Sequence, residues 1–224
     1  MSEVGQPVLV ARGVTLATRH GRVFEGIDVS LPRGGLLSVH GPAGSGRTML
    51  LLALCGRARV SSGELAVAGR TDGPGLRRRA ALAPTGGAVA LEPELTVGAH
   101  ERERLLLGPA PRSLDDAAAL VGLALDRSTH VADLPRVEAV LLAVALAALG
   151  EPDLVAADDV DHGLGADDLE RVGAALRALA DAGTALVTTS HDPLPYATAT
   201  LAVGTDGLVR SSPVATGGGR HEKP

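Results

Sequence analysis

The sequence feature that most constrains the fold is a glycine-rich stretch between two apolar runs. Residues 41–48 read Gly-Pro-Ala-Gly-Ser-Gly-Arg-Thr, after the apolar run 36–40 and before the apolar run 49–54. This order predicts a strand, a loop and a helix, and the spacing is that of a phosphate-binding loop, whose backbone N–H groups converge on an anion. A glycine-rich turn without a ligand is the alternative, and the apolar runs on both sides favour the phosphate loop.

The loop supplies the first candidate ligand-binding residues. A basic side chain at position 47 would reach the outer phosphates, and a hydroxyl at position 48 would complete the coordination shell of Mg²⁺. Position 47 is Arg where Lys is expected, in a chain whose only lysine is Lys223. The candidate phosphate-binding residues are Gly41, Ala43, Gly44, Ser45, Gly46, Arg47 and Thr48, and Thr48 is also a candidate metal ligand.

Two later strands are predicted to end in candidate active-site residues. The apolar run 154–157 leads into Asp158 and Asp159. Carboxylates beside a phosphate loop can hold Mg²⁺ and orient an attacking water, so Asp158 is a candidate metal ligand and Asp159 a candidate catalytic residue. The β-branched run 185–189 leads to His191, a second catalytic candidate through a γ-phosphate contact. The alternatives are that the aspartates only cap a turn and that His191 is structural or solvated.

Composition argues against several classes of protein. The net charge is −5 and the main basic cluster, Arg77–Arg79, is interpreted as a solvated loop, so nucleic acid is not an expected partner. A single cysteine, Cys55, rules out a disulfide framework within the chain. The longest unbroken apolar run, 139–149, has 11 residues and is too short to span a bilayer, and no signal peptide is apparent. We therefore expect a soluble cytoplasmic protein.

Hydrophobic periodicity and turn residues predict one large domain. We expect a flexible N-terminus at 1–7, a domain at 8–210 with a helical insertion at about 96–150, and a disordered tail at 211–224. Residues 69–75 are predicted to form a loop. The predicted strands are 8–16, 23–31, 36–40, 64–68, 80–84, 154–157, 185–189, 201–203 and 208–210, the last two forming a hairpin around 205–207. The predicted helices are the one after the phosphate loop, 96–107, 113–121, 138–149 and 166–182.

This order of elements resembles the ATP-binding cassette of ABC transporters over about residues 8–210. The likeness is strongest in the runs 150–159, 163–164 and 182–192, and residues 91–97 resemble the entry into that family's helical subdomain. The resemblance implies an α/β fold in which a P-loop NTPase core sheet carries an antiparallel β subdomain and an inserted helical subdomain.

The resemblance also implies nucleotide contacts outside the loop. His20 takes the place of an aromatic that stacks on adenine, and Thr85 that of a Gln that senses Mg²⁺ and faces the membrane partner. Asp159 aligns with a Glu that polarises the attacking water and is one methylene shorter. The residues that align with the signature loop, Leu-Ser-Gly-Gly-Gln, are Leu134, Pro135, Arg136, Val137 and Glu138.

Several of these positions depart from the family pattern. In the family, the signature loop binds the γ-phosphate of the other subunit's ATP through a Ser hydroxyl and Gly amides. Pro135 and Val137 supply neither that hydroxyl nor that close backbone approach, although Arg136 could bring a compensating charge. The Asp of the loop that signals across the dimer aligns with Gly165. Hydrolysis is therefore expected to be impaired.

Three functions are compatible with these residues. The first is an ATP-binding subunit that binds Mg-ATP, forms a homo- or heterodimer and drives or regulates a separate integral membrane permease at the cytoplasmic face of the membrane, with weak or partner-dependent hydrolysis. The second is a catalytically inactive cassette that serves as a structural or regulatory partner. The third is another P-loop NTPase class, against which the 112 residues between Gly46 and Asp158 and the further 32 from Asp159 to His191 argue.

Overall fold

A computed structural model of the chain describes residues 6–19, 21–205 and 209–213. The strands are β1 (Leu9–Thr18), β2 (Gly21–Leu31), β3 (Leu36–His40), β4 (Ser62–Val67), β5 (Ala80–Ala83), β6 (Thr85–Gly86), β7 (Val89–Ala90), β8 (Leu154–Ala157), β9 (Ala185–Ser190), β10 (Ala199–Val203) and β11 (Val209–Pro213). The helices are α1 (Arg47–Leu54), α2 (Gly73–Arg79), α3 (Val97–Leu106), α4 (Leu114–Leu120), α5 (Arg136–Ala148) and α6 (Ala166–Asp181), with a 3₁₀ turn at Val131–Asp133.

The central sheet has six strands in the order β11-β10-β3-β9-β8-β5. All neighbours in it are parallel except β11, which runs antiparallel to β10 at the edge. Parallel strands place their carboxyl ends at one edge of the sheet, where ligands bind in folds of this class. Because β3, β9 and β8 are adjacent, the glycine-rich loop, His191 and the two aspartates all emerge at this edge, as their strand-end positions predict.

A second sheet, with the order β2-β1-β4, is antiparallel and packs on α1. Its strands alternate between buried apolar and exposed polar residues, so one face is buried and the other is solvated. Phe24 and Ile27 are fully buried there, in one apolar cluster with the leucines of α1. This sheet is the expected antiparallel β subdomain.

Helix α5 is buried on most of its faces, as its near-continuous apolar sequence predicts. It packs against α4, α6 and strand β5, so it joins the helical insertion to the central sheet. The expected α/β architecture, with its core sheet, antiparallel sheet and inserted helices, is therefore confirmed. Among the described residues, no helix combines the length and the apolar character needed to cross a bilayer.

The structure corrects one prediction in particular. Residues 73–75 of the loop predicted at 69–75 and the solvated loop assigned to Arg77–Arg79 form helix α2, whereas residues 69–72 lie outside the helix. The sequence Gly-Pro-Gly at its start is typical of a turn, but Asp72 caps the helix by accepting the Gly75 N–H at 2.9 Å, and Pro74 is tolerated in the first turn. The sequence signal for the helix was therefore its cap.

Smaller differences concern the ends of the chain and one connection. Strand β11 continues through Pro213, three residues into the segment predicted to be disordered, and the short hairpin of β6 and β7 is not among the predicted elements. Residues 1–5 of the predicted flexible N-terminus, 206–208 of the predicted hairpin and 214–224 of the predicted tail lie outside the described residues.

Candidate functional site

The glycine-rich loop connects β3 to α1 and has the backbone geometry that a phosphate-binding loop needs. Gly46 immediately precedes the helix with φ of 94°, a left-handed conformation that favours glycine. A Cβ on Gly41 would lie 2.2 Å from the backbone oxygen of Val203, so this position admits no side chain. The Gly41 N–H donates to the backbone oxygen of His191 at 3.2 Å, which fixes the loop against the end of β9.

Two features of the loop fit an anion. The Ser45 hydroxyl is buried and has no hydrogen-bond partner among the described residues, so it is a polar group that a bound anion could satisfy. The first N–H groups of α1 have no acceptor within the helix, and they lie at its positive end. The loop therefore presents unsatisfied donors where a phosphate would lie.

Asp158 is buried at the end of β8, and its carboxylate accepts hydrogen bonds from three groups. The Thr48 hydroxyl lies 3.3 Å from its Oδ1, and the Thr189 hydroxyl donates to the same oxygen. The Ala88 N–H donates to its Oδ2 at 3.0 Å. Thr48 and Asp158 thus bring a hydroxyl and a carboxylate together, and such oxygen groups suit Mg²⁺. Among the described residues there is no cluster of three or more His, Cys, Asp or Glu that would bind a metal by itself.

Thr189 bridges the two aspartates, a role that the sequence analysis missed. Besides donating to Asp158, its hydroxyl accepts the N–H of Asp159 at 2.7 Å. The register of the sheet explains this position, because Ala157 lies opposite Thr188 and the next residues along the two strands therefore lie opposite each other. A hydroxyl residue at the end of β9 was the signal that could have identified it.

Thr85 and Gly87 support Asp158 from the segment after β5. The buried Thr85 hydroxyl donates to the backbone oxygen of Asp158 at 2.7 Å. A Cβ on Gly87 would lie 2.2 Å from the Asp158 carboxylate, and its φ of 60° also favours glycine. The structure therefore uses the Thr85 hydroxyl to hold the Asp158 backbone, whereas the sequence analysis placed it toward the ligand.

Arg47 contacts other parts of the protein. Its guanidinium donates to the backbone oxygen of Ser190, and it lies 3.3 Å from Asp159 Oδ1. The Arg47 side chain is only 13 % exposed, so this is a largely enclosed ion pair. Asp159 has φ of 53°, an unusual conformation for a residue other than glycine. The loop cation and the candidate catalytic carboxylate thus neutralise each other in this conformation.

Two histidines lie at the ends of the strands that lead to this site, His40 in β3 and His191 after β9. His191 is exposed, and its N–H donates to Asp161 Oδ2 at 2.7 Å, so its backbone is fixed while its imidazole faces solvent. Burial lowers the pKa of His40 at the end of β3, an effect that Arg47 reinforces and Asp192 partly opposes. The neutral imidazole of His40 therefore adds no second cation beside Arg47 at neutral pH.

The segment 134–138 lies at the start of α5. Pro135 precedes the helix without a side-chain cap, and Val137 is buried. Arg136, whose charge was expected to compensate for the missing signature residues, donates to the backbone oxygens of Thr85 at 2.5 Å and His162 at 3.2 Å. In this structure it therefore joins two segments of its own chain.

The structure thus brings together the loop 41–48, the aspartate pair and the backbone of His191. The segment 134–138 contacts this site through Arg136, which donates to the backbone oxygen of Thr85, and the Thr85 hydroxyl in turn holds the Asp158 backbone. The remaining candidate, His20, lies outside the described residues.

Comparison with known proteins shows which family the chain resembles. A sequence model described as ABC transporter matches residues 24–161. The chain is 34 % identical over 197 residues to the cytochrome c biogenesis ATP-binding export protein CcmA of Cupriavidus necator, covering 85 % of this chain and 86 % of that protein. It is 28 % identical over 204 residues to the cobalt import ATP-binding protein CbiO of Rhodobacter capsulatus, covering 83 % of this chain and 70 % of that protein.

Solved structures show the same fold. The structure of cbiO1 from Clostridium perfringens, part of the ABC transporter complex cbiONQ, superposes with a TM-score of 0.79 at 17 % identity, covering 92 % of this chain and 87 % of that one. At this identity the comparison supports the fold alone.

Proposed function

The chain belongs to the ABC transporter family as an ATP-binding subunit, and we propose that it binds Mg-ATP at residues 41–48 and drives or regulates a separate integral membrane permease. The observation that carries the proposal is the meeting of this loop with the aspartate pair, where Thr48 Oγ1 lies 3.3 Å from Asp158 Oδ1. The unpartnered Ser45 hydroxyl supports it, because a buried polar group without a partner is costly unless a ligand satisfies it.

Different residues of this chain would bind the phosphates, hold the metal ion and orient the attacking water at this site. The loop amides and Ser45 would bind phosphate oxygens, while Thr48 and Asp158 would hold Mg²⁺. A bound Mg²⁺ neutralises phosphate charge. Asp159 would orient the attacking water, and His191 would contact the terminal phosphate. Arg47 would have to exchange Asp159 and Ser190 for the phosphates, which frees the Asp159 carboxylate at the same time.

The same contacts support weak or partner-dependent hydrolysis. Asp159 is one methylene shorter than the Glu expected from the family, it is held in a left-handed conformation, and it is paired with Arg47. A misplacement of about 1 Å can lower a catalytic rate on the order of 100-fold. Pro135 and Val137 lack the groups expected of a signature loop, so a second cassette with an intact loop would be needed to complete the site formed by this chain.

We also propose where the permease docks. A cavity of about 760 Å³ lies between the segment after β5, helix α3 and the end of α5. It is lined in part by Val89, Leu91 and Leu107. Leu107 and the preceding residue, Leu106, are 83 % and 87 % exposed. Exposed leucines beside a groove are typical of a protein interface. The cassette would then lie on the cytoplasmic face of the membrane, as a homo- or heterodimer.

The catalytic role of Asp159 gives one prediction. In Asp159→Glu, the longer side chain restores the reach expected of the catalytic residue, and phosphate release is expected to rise about tenfold. Phosphate release is measured under saturating Mg-ATP, with the cognate second cassette and permease present. Asp181→Glu is the matched control, because it lengthens an exposed carboxylate at the end of α6, outside the site. An unchanged rate in Asp159→Glu would argue against catalysis by this residue.

The alternative function is a catalytically inactive cassette that acts as a structural or regulatory partner of another ABC ATPase. The observation that favours it is the engagement of Arg47 by Ser190 and Asp159, which leaves the loop without a free cation in this conformation. In that case phosphate release by the assembled transporter would depend wholly on the partner's residues. Neither Asp159→Glu nor Asp159→Ala would then change the rate.

A further inference from the structure

The peptide backbone of His191 is held on both sides, although the residue is exposed. Its backbone oxygen accepts the Gly41 N–H at 3.2 Å, and its own N–H donates to Asp161 Oδ2 at 2.7 Å. The first contact comes from the phosphate-binding loop, and the second comes from the turn that follows the aspartate pair. Asp161 therefore links the backbone of His191 to that turn through its carboxylate.

This hydrogen bond extends the pairing of β8 with β9 beyond the end of β8. The Asp159 N–H donates to the Thr189 hydroxyl at 2.7 Å, and the Val160 N–H donates to the Thr189 backbone oxygen at 3.0 Å. One residue further along both segments, the direction of donation reverses, and the His191 N–H donates to the Asp161 carboxylate. Three successive residues after Asp158 are thus each linked to the end of β9. A displacement of this turn would therefore reach His191 through Asp161.

The turn that carries Asp161 is held in shape by its own hydrogen bonds. The His162 N–H donates to the backbone oxygen of Asp159 at 3.1 Å, and the Leu164 N–H donates to the backbone oxygen of Asp161 at 3.2 Å. Arg136 donates to the backbone oxygen of His162 at 3.2 Å. A side chain can orient a neighbour accurately only when its own position is supported. The turn gives the Asp161 carboxylate that support.

The segment that follows His191 is held by contacts that do not involve Asp161. The Ser190 hydroxyl at the end of β9 donates to a backbone oxygen of this segment at 2.6 Å. The N–H of the buried Leu194 donates to the buried Ser38 hydroxyl at 3.2 Å. Removal of the Asp161 carboxylate should therefore free the His191 N–H while the rest of the segment stays in place.

Tyr196 anchors the far end of the same segment on helix α6. A Cβ on Gly173 would lie 2.3 Å from the Tyr196 ring, so the ring packs directly on the helix, and the Arg177 guanidinium lies 5.6 Å from the ring centroid. Burial raises the pKa of Tyr196, and the Asp161 carboxylate raises it further, while Arg177 partly opposes this shift. The phenol is therefore neutral at neutral pH and adds no second negative charge near Asp161.

We propose that Asp161 is a positioning residue that holds His191 where its imidazole contacts the terminal phosphate of bound Mg-ATP. The inference rests on the proposed function, in which His191 makes that contact. A hydrogen bond from the imidazole to a phosphate oxygen weakens steeply when its distance or angle departs from the optimum. A backbone held at both its N–H and its oxygen limits such displacements. Asp161 is not expected to touch the nucleotide, because its negative charge would repel a phosphate.

The test compares the binding of Mg-ATP and Mg-ADP to the purified full chain by calorimetry. The two nucleotides differ in the terminal phosphate, so the ratio of their dissociation constants reports the contact made by His191. His191→Ala removes that contact and should reduce the preference for Mg-ATP about tenfold, the loss expected for one charge-assisted hydrogen bond. Asp161→Ala leaves the imidazole present but less well placed, so it should reduce the preference about fivefold and change Mg-ADP binding by less than about twofold.

Two further variants show whether Asp161 acts through His191. Asp161→Asn keeps a carbonyl oxygen that accepts the His191 N–H, so it should retain the preference for Mg-ATP to within about twofold. The double variant Asp161→Ala, His191→Ala should have the same preference as His191→Ala alone, because the residue that Asp161 positions is gone. Asp167→Ala is the matched control, since it removes the same charge from an exposed residue in the first turn of α6, and it should retain the preference.

The outcomes separate this proposal from the proposed function. An unchanged preference in Asp161→Ala, with a reduced one in His191→Ala, would overturn the proposal and leave the nucleotide site standing. Equal losses in Asp161→Asn and Asp161→Ala, or a further loss in the double variant beyond that of His191→Ala, would also overturn it, because Asp161 would then act by another route. Absence of nucleotide binding by the unmodified chain would contradict the proposed function itself, and this inference with it.

Discussion

Arg47→Ala is expected to weaken Mg-ATP binding about 100-fold. Charge-assisted hydrogen bonds contribute about 1.5–3 kcal/mol each, and this substitution removes the cation that would move from Asp159 to the phosphates. It also leaves the Asp159 carboxylate, now 3.3 Å from the guanidinium, without its partner and facing the bound anion. The dissociation constant is measured by calorimetry, with circular dichroism to confirm folding.

Arg47→Lys is the informative control for this prediction. A lysine ammonium is a compact charge on a shorter side chain and does not reproduce the forked contact with both Ser190 and Asp159. It should therefore leave these partners more readily and bind Mg-ATP at least as tightly as the unmodified chain. If Arg47→Ala bound Mg-ATP as tightly as the unmodified chain, Arg47 would be a structural clamp with no part in nucleotide binding.

Asp158→Ala is expected to lower the free energy of unfolding by about 3 kcal/mol. The substitution removes a buried carboxylate that accepts from Thr48, Thr189 and the Ala88 N–H, and each buried donor left without an acceptor costs about 1–3 kcal/mol. The two hydroxyls can turn to other acceptors, so the loss in free energy of unfolding is smaller than the sum of three separate losses. Urea denaturation followed by circular dichroism measures the change.

Asp133→Ala is the control for charge, because Asp133 is exposed in the 3₁₀ turn, and it should change the stability by less than about 0.5 kcal/mol. Asp158→Ala should in addition remove the dependence of ATP binding on Mg²⁺. A variant with unchanged stability would mean that the hydrogen bonds around Asp158 contribute nothing to the fold.

Much of the fold follows from the order of apolar runs and turn residues. Parallel strands bring their carboxyl ends to one edge, so the convergence of the glycine-rich loop, Asp158 and His191 could be predicted without any side-chain coordinates. Helix α2 was missed because Gly73, Pro74 and Gly75 resemble a turn. Its capping residue, Asp72, is the sequence feature that indicates a helix here.

The details of the site could not be predicted in the same way. The pairing of Arg47 with Asp159 depends on the rotamer of a long side chain and on a left-handed backbone at Asp159, which intrinsic preferences disfavour. The two contacts of Arg136 are with residues 26 and 51 positions away in the sequence, and no periodicity in the sequence indicates them. The contacts of Thr189 with the two aspartates follow from the strand register, and that register is known only once β8 is seen to pair with β9.

The central claim is that residues 41–48 bind Mg-ATP, and a calorimetric titration of the unmodified chain tests it most directly. We expect saturable binding with one nucleotide per chain, dependent on Mg²⁺ and weakened in Thr48→Val, which removes the hydroxyl proposed to hold the ion. Absence of heat and of any protection against thermal unfolding, in a chain shown to be folded, would contradict the claim. The cassette would then be a scaffold whose glycine-rich loop serves the fold alone.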